Sequence, residues 1–243
     1  MKKLLFPFAS LLLFSACDTL QDISEVILEE PIATQPSLTN AEVISGLKEA
    51  LKIGAEKAGD LASATDGFYK NELLFIPFPE EAQKVKETAL QYGFGSQVEQ
   101  FEMTLNRAAE EAAKEATPIF VNAISQMTVA DGFAILNGEK DAATKYLKDK
   151  TTAELTEKFR PKVSQAIETV NLTAYWEPII TKYNTVNILT GGDDINPDLE
   201  AYVTERAIQG LFVHVEAEEA AIRENPQARV TELLEKVFGS LDN

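Results

Sequence analysis

The sequence predicts an all-α fold, a single-domain helical bundle of about eight to ten helices, and three observations predict it. Apolar residues recur three and four apart over long stretches, helix-start signals are dense, and nothing after residue 37 is rich enough in Pro, Gly or Ser to divide the remainder. From Leu38 onward about 205 residues remain, enough for one domain with a substantial core.

The chain opens with a segment that is not part of that bundle. Lys2 and Lys3 precede an apolar run from Leu4 to Phe14, too short to cross a hydrocarbon core of about 30 Å as a helix. A charged start, a short apolar run and small residues after it make a secretory signal, so residues 1–16 are read as a cleaved signal peptide. Its end, Phe14-Ser15-Ala16-Cys17, resembles the bacterial lipobox, in which small residues precede a Cys that takes diacylglycerol and becomes the first mature residue. Phe14 stands where that pattern usually has Leu. An ordinary signal cut near Ala16 is the alternative. Cys17 is the only cysteine, so no internal disulfide can form. Each buried methylene of an acyl chain contributes about 0.8 kcal/mol, and two or three chains anchor stably where one does not. Lipidation of Cys17 therefore makes the bilayer a partner and gives the chain a lipid-anchored place on the periplasmic side of the cell envelope. Asp18 resembles a signal that retains enterobacterial lipoproteins in the inner membrane, but inner and outer membrane both stay open.

Residues 17–37 read as the lipidated Cys and a flexible linker. Glu29-Glu30-Pro31 and Gln35-Pro36-Ser37 break any sustained period, and a flexible segment of about 20 residues spans roughly 25 Å. A short amphipathic turn at Ile23 to Leu28 is compatible with this. Loss of Lys2 and Lys3 leaves 20 basic against 39 acidic residues and a net charge of −19. Such a surface disfavours nucleic acid and anionic headgroups; it reads first as a solvated, self-repelling exterior and second as a site for a cation or basic partner.

Residues 38–243 hold the helices. Thr39 with Glu42, Ser96 with Glu99 and Thr151 with Glu154 have capping-box spacing. Asn196-Pro197 and Asn225-Pro226 read as N-caps followed by proline at the first helical position. Val43, Leu47, Leu51, Ala58 and Leu61 share one face, as do Val98, Phe101, Leu105, Ala112 and Ala116, and Val203, Ala207, Leu211 and Val215. Ala50, Gly54 and Ala58 form one small-residue stripe; Ala108, Ala109, Ala112, Ala113 and Ala116 form another. A mid-helix Gly54 costs about 1 kcal/mol relative to Ala, and close helix packing is the expected reason for it.

Three motifs give a family resemblance: Asp66-Gly67-Phe68 with Asn71 and Ile76-Pro77; Asn106-Arg107-Ala108-Ala109-Glu110 leading to Pro118-Ile119-Phe120; and Tyr202-Val203-Thr204 through Gly210-Leu211-Phe212, Glu218-Glu219, Ile222-Arg223 and Val237-Phe238-Gly239. From about Ala41 to Gly239 the chain resembles the DUF4197 family of bacterial proteins. The resemblance implies a helical envelope protein, often with a signal peptide, and brings no substrate, cofactor or catalytic residue.

Chemistry has to be read from the residues. His214 is the only histidine, which removes a Ser-His-Asp or Cys-His relay and the paired Glu-x-x-His ligation of di-iron bundles. His214 and Glu218, one turn apart, make only two metal ligands, and an ordinary helix histidine is the competing reading. Asp194, Asn196, Asp198 and Glu205 fall at positions 1, 3, 5 and 12 of a calcium loop. Leu199 occupies the glycine position and Pro197 favours a helix start, so a turn at Gly191-Gly192, an Asn196 cap and acids at a helix N-terminus compete with the metal. Asp66, Asn71, Asn106, Arg107, Glu110, Glu218, Glu219 and Arg223 are candidates for a buried polar network or pocket, against exposed intrahelical pairs contributing about 0.2–0.5 kcal/mol each. Asp66 with Asp131 or Glu110 would be the carboxylates of a hydrolase; otherwise Asp66 marks a turn and Asp131 the first turn after a Thr128 cap. Tyr175, Trp176, Tyr183 and Phe212 offer aromatic surface for an apolar ligand between helices, or core.

No cofactor is implied. The reading favoured is a membrane-anchored, non-enzymatic envelope lipoprotein that binds a protein partner or hydrophobic ligand. A carboxylate-dependent envelope hydrolase and a purely structural lipoprotein are the alternatives.

Overall fold

Thr39 starts the first helix as its spacing to Glu42 predicts. Its hydroxyl accepts from the Glu42 amide at 3.2 Å and the Glu42 carboxylate accepts from the Thr39 amide at 2.8 Å, so two of the free donors at the helix start are satisfied. In the computed structural model the described residues are 39–169, 180–181, 184–185, 198–225 and 237, all within one compact unit, Leu38–Asn243.

The helices are α1 (Asn40–Ser63), α2 (Gln83–Gln91, after a 3-10 turn at Glu80–Ala82), α3 (Gly95–Ala113), α4 (Ala116–Ser125), α5 (Val129–Leu136), α6 (Ala142–Thr169) and α7 (Leu199–Glu224). No strand occurs among the described residues. The fold is all-α as expected. Among the described residues seven helices are delimited, fewer than the expected eight to ten; one long helix, α6, spans what the sequence divides, and residues 180–181, 184–185 and 237 are helical as well.

Two expected helix starts are corrected. Ser96 is already inside α3, whose N-cap is Phe94; its hydroxyl bonds Gln97 instead, and Glu99 accepts from the Tyr69 hydroxyl at 3.4 Å. Thr151 lies in mid-helix, where its hydroxyl donates to the Leu147 carbonyl one turn back at 2.6 Å, a bond that lets threonine sit inside a helix without ending it. Near Asn196-Pro197 the start falls later than expected: Asp198 caps α7 by accepting from the Ala201 amide at 2.9 Å, while residues 196 and 197 lie outside the described set. Asn225 ends α7, and Pro226 is likewise outside. Thr128 and Asp131 form a full capping box at α5.

The core runs between α1, α3, α4, α6 and α7, with Phe68, Phe120 and Phe159 among its fully buried side chains. Both small-residue stripes are buried there. A close approach that does require glycine on α1 is at Gly59, where a β-carbon would stand 2.3 Å from the Thr117 hydroxyl of α4. At Gly54 the same atom would meet only Glu218 Cβ at 3.5 Å, an ordinary contact. Close packing therefore does not require glycine at 54, contrary to expectation.

Helix α1 ends at Ser63 with Ala64 extended, and two residues on Asp66 takes a left-handed conformation, φ 68°, which Asp tolerates better than most residues. Gly67 follows because a β-carbon would stand 2.4–3.0 Å from the carbonyl oxygens of Leu61, Ala62 and Ala64. This turn aims Phe68 into the core against Gly210 of α7, where a β-carbon would reach 2.6 Å from the ring. Two of the sequence motifs thus meet.

Among the described residues no single helix is long and apolar enough to cross a membrane.

Candidate functional site

Three polar side chains one turn apart on α3 receive the irregular segment after α1. Glu110 accepts from the Phe68 and Tyr69 amides at 3.1 and 3.2 Å. Asn106, fully buried, accepts from the Ile76 amide at 2.8 Å and donates to the Ile76 and Glu102 carbonyls at 2.9 and 2.7 Å. Glu102 accepts from the Phe78 amide at 3.0 Å and pairs with Lys86 of α2. The ladder supplies partners to backbone donors that burial would otherwise leave unsatisfied. Tyr202 of α7 completes it, its hydroxyl donating to the Pro77 carbonyl at 3.1 Å.

Arg107 joins the ladder from its edge. One amino group binds Glu110 at 2.6 Å, the other binds Asp66, and the guanidinium lies 5.4 Å from the Tyr69 ring centre. Asp66 also pairs with Lys70 at 2.8 Å. Lys70 first, and Arg107 after it, hold the Asp66 carboxyl below its ordinary range. Hydrogen bonding to Glu110, with Asp66 adding to it, raises Arg107 further above its own. Asn71 turns inward on its segment, its side chain accepting from the Leu73 amide at 3.0 Å.

A second group forms around Glu219 of α7, which is buried. Its carboxylate accepts from the Ala143 and Thr144 amides at 3.0 and 2.8 Å and from the Thr144 hydroxyl at 2.8 Å. Those amides are first-turn donors of α6 without an intrahelical acceptor, and the helix dipole favours an anion there. Arg223 donates to Glu219 at 2.9 Å and to the Ile135 carbonyl at the end of α5 at 2.9 Å. Glu218 pairs with Lys57 of α1 at 2.8 Å. The eight residues expected as one network thus divide: Asp66, Asn106, Arg107 and Glu110 hold the loop, Asn71 closes its own turn, Glu219 and Arg223 fix the start of α6, and Glu218 ties α1 to α7.

The carboxylates of the hydrolase reading are also committed. Asp66 and Glu110 share one guanidinium, whereas Asp131 caps α5 and is lowered by the Thr128 hydroxyl first and its amide second. In the calcium reading, Asp194 and Asn196 lie outside the described residues. Asp198 binds Arg160 at 2.7 Å and caps α7, and Glu205 accepts from Gln209 at 3.0 Å. Seven helical residues separate Asp198 from Glu205, about 10 Å along the axis, so the described half of the loop does not converge. Among the described residues no group of three or more acidic, His or Cys side chains stands together as a metal site. His214 is half-buried, burial lowers its pKa against a smaller opposing effect of Glu218, and its Nε2 has no hydrogen-bond partner among the described residues.

What the polar groups leave open is a groove of about 310 Å³ between α6 and α7. Thr152 and Thr156 form its α6 side; Ala201, Thr204, Ile208 and Phe212, with the polar Glu205 and Gln209, form its α7 side, and Lys148 and Arg160 stand toward the two ends. Lys148 and Arg160 are twelve residues apart on α6, an axial length of about 18 Å. Thr152 and Thr156 donate to carbonyls of their own helix, at 2.6 and 2.8 Å. Thr204 does not: it is buried, and its hydroxyl has no partner among the described residues. A buried hydroxyl left unpaired costs about 1–3 kcal/mol, which a bound acceptor would recover. Of the aromatic residues expected to flank a ligand, Phe212 lines this groove; Tyr175, Trp176 and Tyr183 lie outside the described residues. Sequence reasoning missed Glu102 and gave Tyr202 and Thr204 no role beyond the family motif. Glu102 stands one turn before Asn106 on the same face, which was its available signal.

No curated protein and no solved structure matches the chain. The model of one family, described as a protein of unknown function (DUF4197), matches residues 37–239. That span takes in the loop, the ladder, both ion-pair groups and the groove, and the chain belongs to the DUF4197 family.

Proposed function

We propose that this is a lipid-anchored, non-enzymatic binding protein of the cell envelope, held through Cys17, whose α6–α7 groove takes an elongated apolar molecule carrying a hydrogen-bond acceptor. The groove carries this reading: it has an apolar wall of Ala201, Ile208 and Phe212, a volume within the range of small-molecule sites, and one unpaired buried hydroxyl at Thr204. A basic group near each end suits a ligand with an anionic head, and Lys148 has no carboxylate partner among the described residues, whereas Arg160 is paired with Asp198.

The hydrolase alternative needs carboxylates free to exchange protons in a cleft. Asp66, Glu110 and Asp131 are each bound by the groups that hold the fold and lie outside the groove, and Glu205, the carboxylate that lines it, accepts from Gln209.

The test is binding of 11-dansylaminoundecanoic acid, a fluorescent fatty acid, to the full chain in detergent. Saturable binding to the parent protein and at least tenfold weaker binding to Thr156→Trp, with an unchanged circular dichroism spectrum, is the expected result. Thr156 is exposed at the groove's rim, so the indole fills the space without entering the core. Equal binding to both proteins, or none to either, contradicts the reading.

A further inference from the structure

The turn between α2 and α3 takes no part in the α6–α7 groove. Leu90 to Gln97 are eight consecutive exposed residues, and α2 itself buries no residue. At the tip, Leu90, Tyr92 and Phe94 are 47, 76 and 51% exposed. Gly93 makes the reversal with φ +83°, and a β-carbon built there meets nothing within 4 Å. From Thr88 to Val98 there is no charged residue, in a chain of which a quarter is charged and whose net charge is −17.

We infer that this tip is a second membrane contact, in which Leu90, Tyr92 and Phe94 enter the headgroup–acyl boundary of the bilayer that holds the N-terminal lipid. The inference rests on the lipid-anchor reading above. Three features favour lipid over a protein partner. A specific protein interface buries about 800 Å² on each side, and three side chains on a narrow turn fall well short of it. Tyrosine and phenylalanine suit the interface, with the phenol at headgroup level and the rings below. The acidic remainder of the surface is repelled by anionic headgroups, and this uncharged run is not. Tethering removes the objection that three side chains bind weakly. A flexible segment of about 20 residues has a typical end-to-end distance of roughly 25 Å, and at the effective concentration such a tether sets, a contact too weak to recruit a free protein still orients a tethered one.

The experiment places a nitroxide on Tyr92→Cys and, separately, on Val213→Cys, an exposed apolar position on α7, in the full chain reconstituted into phosphatidylethanolamine–phosphatidylglycerol vesicles. Collision with oxygen, which concentrates in lipid, is compared with collision with a water-soluble nickel chelate. The expected result is an oxygen-to-nickel ratio severalfold higher at position 92 than at 213, falling when Phe94→Ser is added. Equal ratios on a chain that stays with the vesicles overturn the tip contact and leave the anchor standing. A parent chain that takes the label at Cys17 and elutes apart from the vesicles overturns the anchor and this inference together.

Discussion

Asn106 is a residue whose whole hydrogen-bonding capacity goes into structure. Its carbonyl and amide are committed to Ile76 and Glu102 inside the core, so Asn106→Leu leaves the Ile76 amide and carbonyl buried without it. The expected loss is about 1–3 kcal/mol of stability, read as a lower urea midpoint. Two glycines separate opposite effects. Gly54→Ala adds only ordinary contacts and removes a helix-propensity penalty, so it raises stability by up to about 1 kcal/mol. Gly67→Ala drives a methyl into three backbone carbonyl oxygens and lowers stability by about 1–3 kcal/mol; parallel thermal melts of the two variants check both signs. Legibility at this scale is partial. The Asn106-Arg107 and Glu110 cluster is visible because a polar run interrupts an alanine-rich face. The role of Gly54 is misread because spacing alone cannot tell which small residue of α1 faces a neighbour closely; Gly59, outside the stripe and against Thr117, does.

Helix ends are the elements most exposed to error and to test. Glu219 caps α6 from another helix, across 75 residues of sequence at Thr144, so no local pattern could announce it. Glu219→Ala leaves the α6 amides and the part-buried Arg223 without their main acceptor, and a loss of about 3–5 kcal/mol is expected from breaking a buried pair on one side; equilibrium denaturation measures it. Capping-box spacing holds at Thr39, and Thr128 caps α5 as expected, but the spacing misleads at Ser96 and Thr151, because Ser or Thr followed three residues on by Glu also occurs inside a helix, where the Ser96 hydroxyl bonds the Gln97 side chain and the Thr151 hydroxyl turns back on the Leu147 carbonyl. On α7, burial lowers the pKa of His214 below its usual 6.5, so the unfolded chain takes that proton first. Its contribution to stability is complete above about pH 6.5 and is lost as pH falls through the lower folded value. Asp66 and Asp131 are lowered from 3.8; their contribution is present above about pH 4 and is lost as pH falls below it. Melting temperature should therefore fall in two stages on acidification, and His214→Leu should remove the upper one.

At the scale of the molecule, the sequence carries the all-α class and little of the function. Helical periodicity suffices for the class, since no described residue forms a strand. The groove depends on which faces of α6 and α7 meet, and Thr204 becomes notable only once the partner of every neighbouring hydroxyl is known. In the proposed function a covalent lipid at Cys17 is combined with a reversible ligand in the bundle, and Cys17→Ala is expected to move the protein from the membrane to the soluble fraction with its circular dichroism unchanged. Both lipids can be read at once by mass spectrometry of the full chain released from native membranes, first under native and then under denaturing conditions. The account predicts a chain beginning at a diacylglyceryl-modified Cys17, with a second, apolar adduct that leaves on denaturation. A chain that begins at Met1, or carries a free thiol at position 17 and has no adduct in either state, contradicts it.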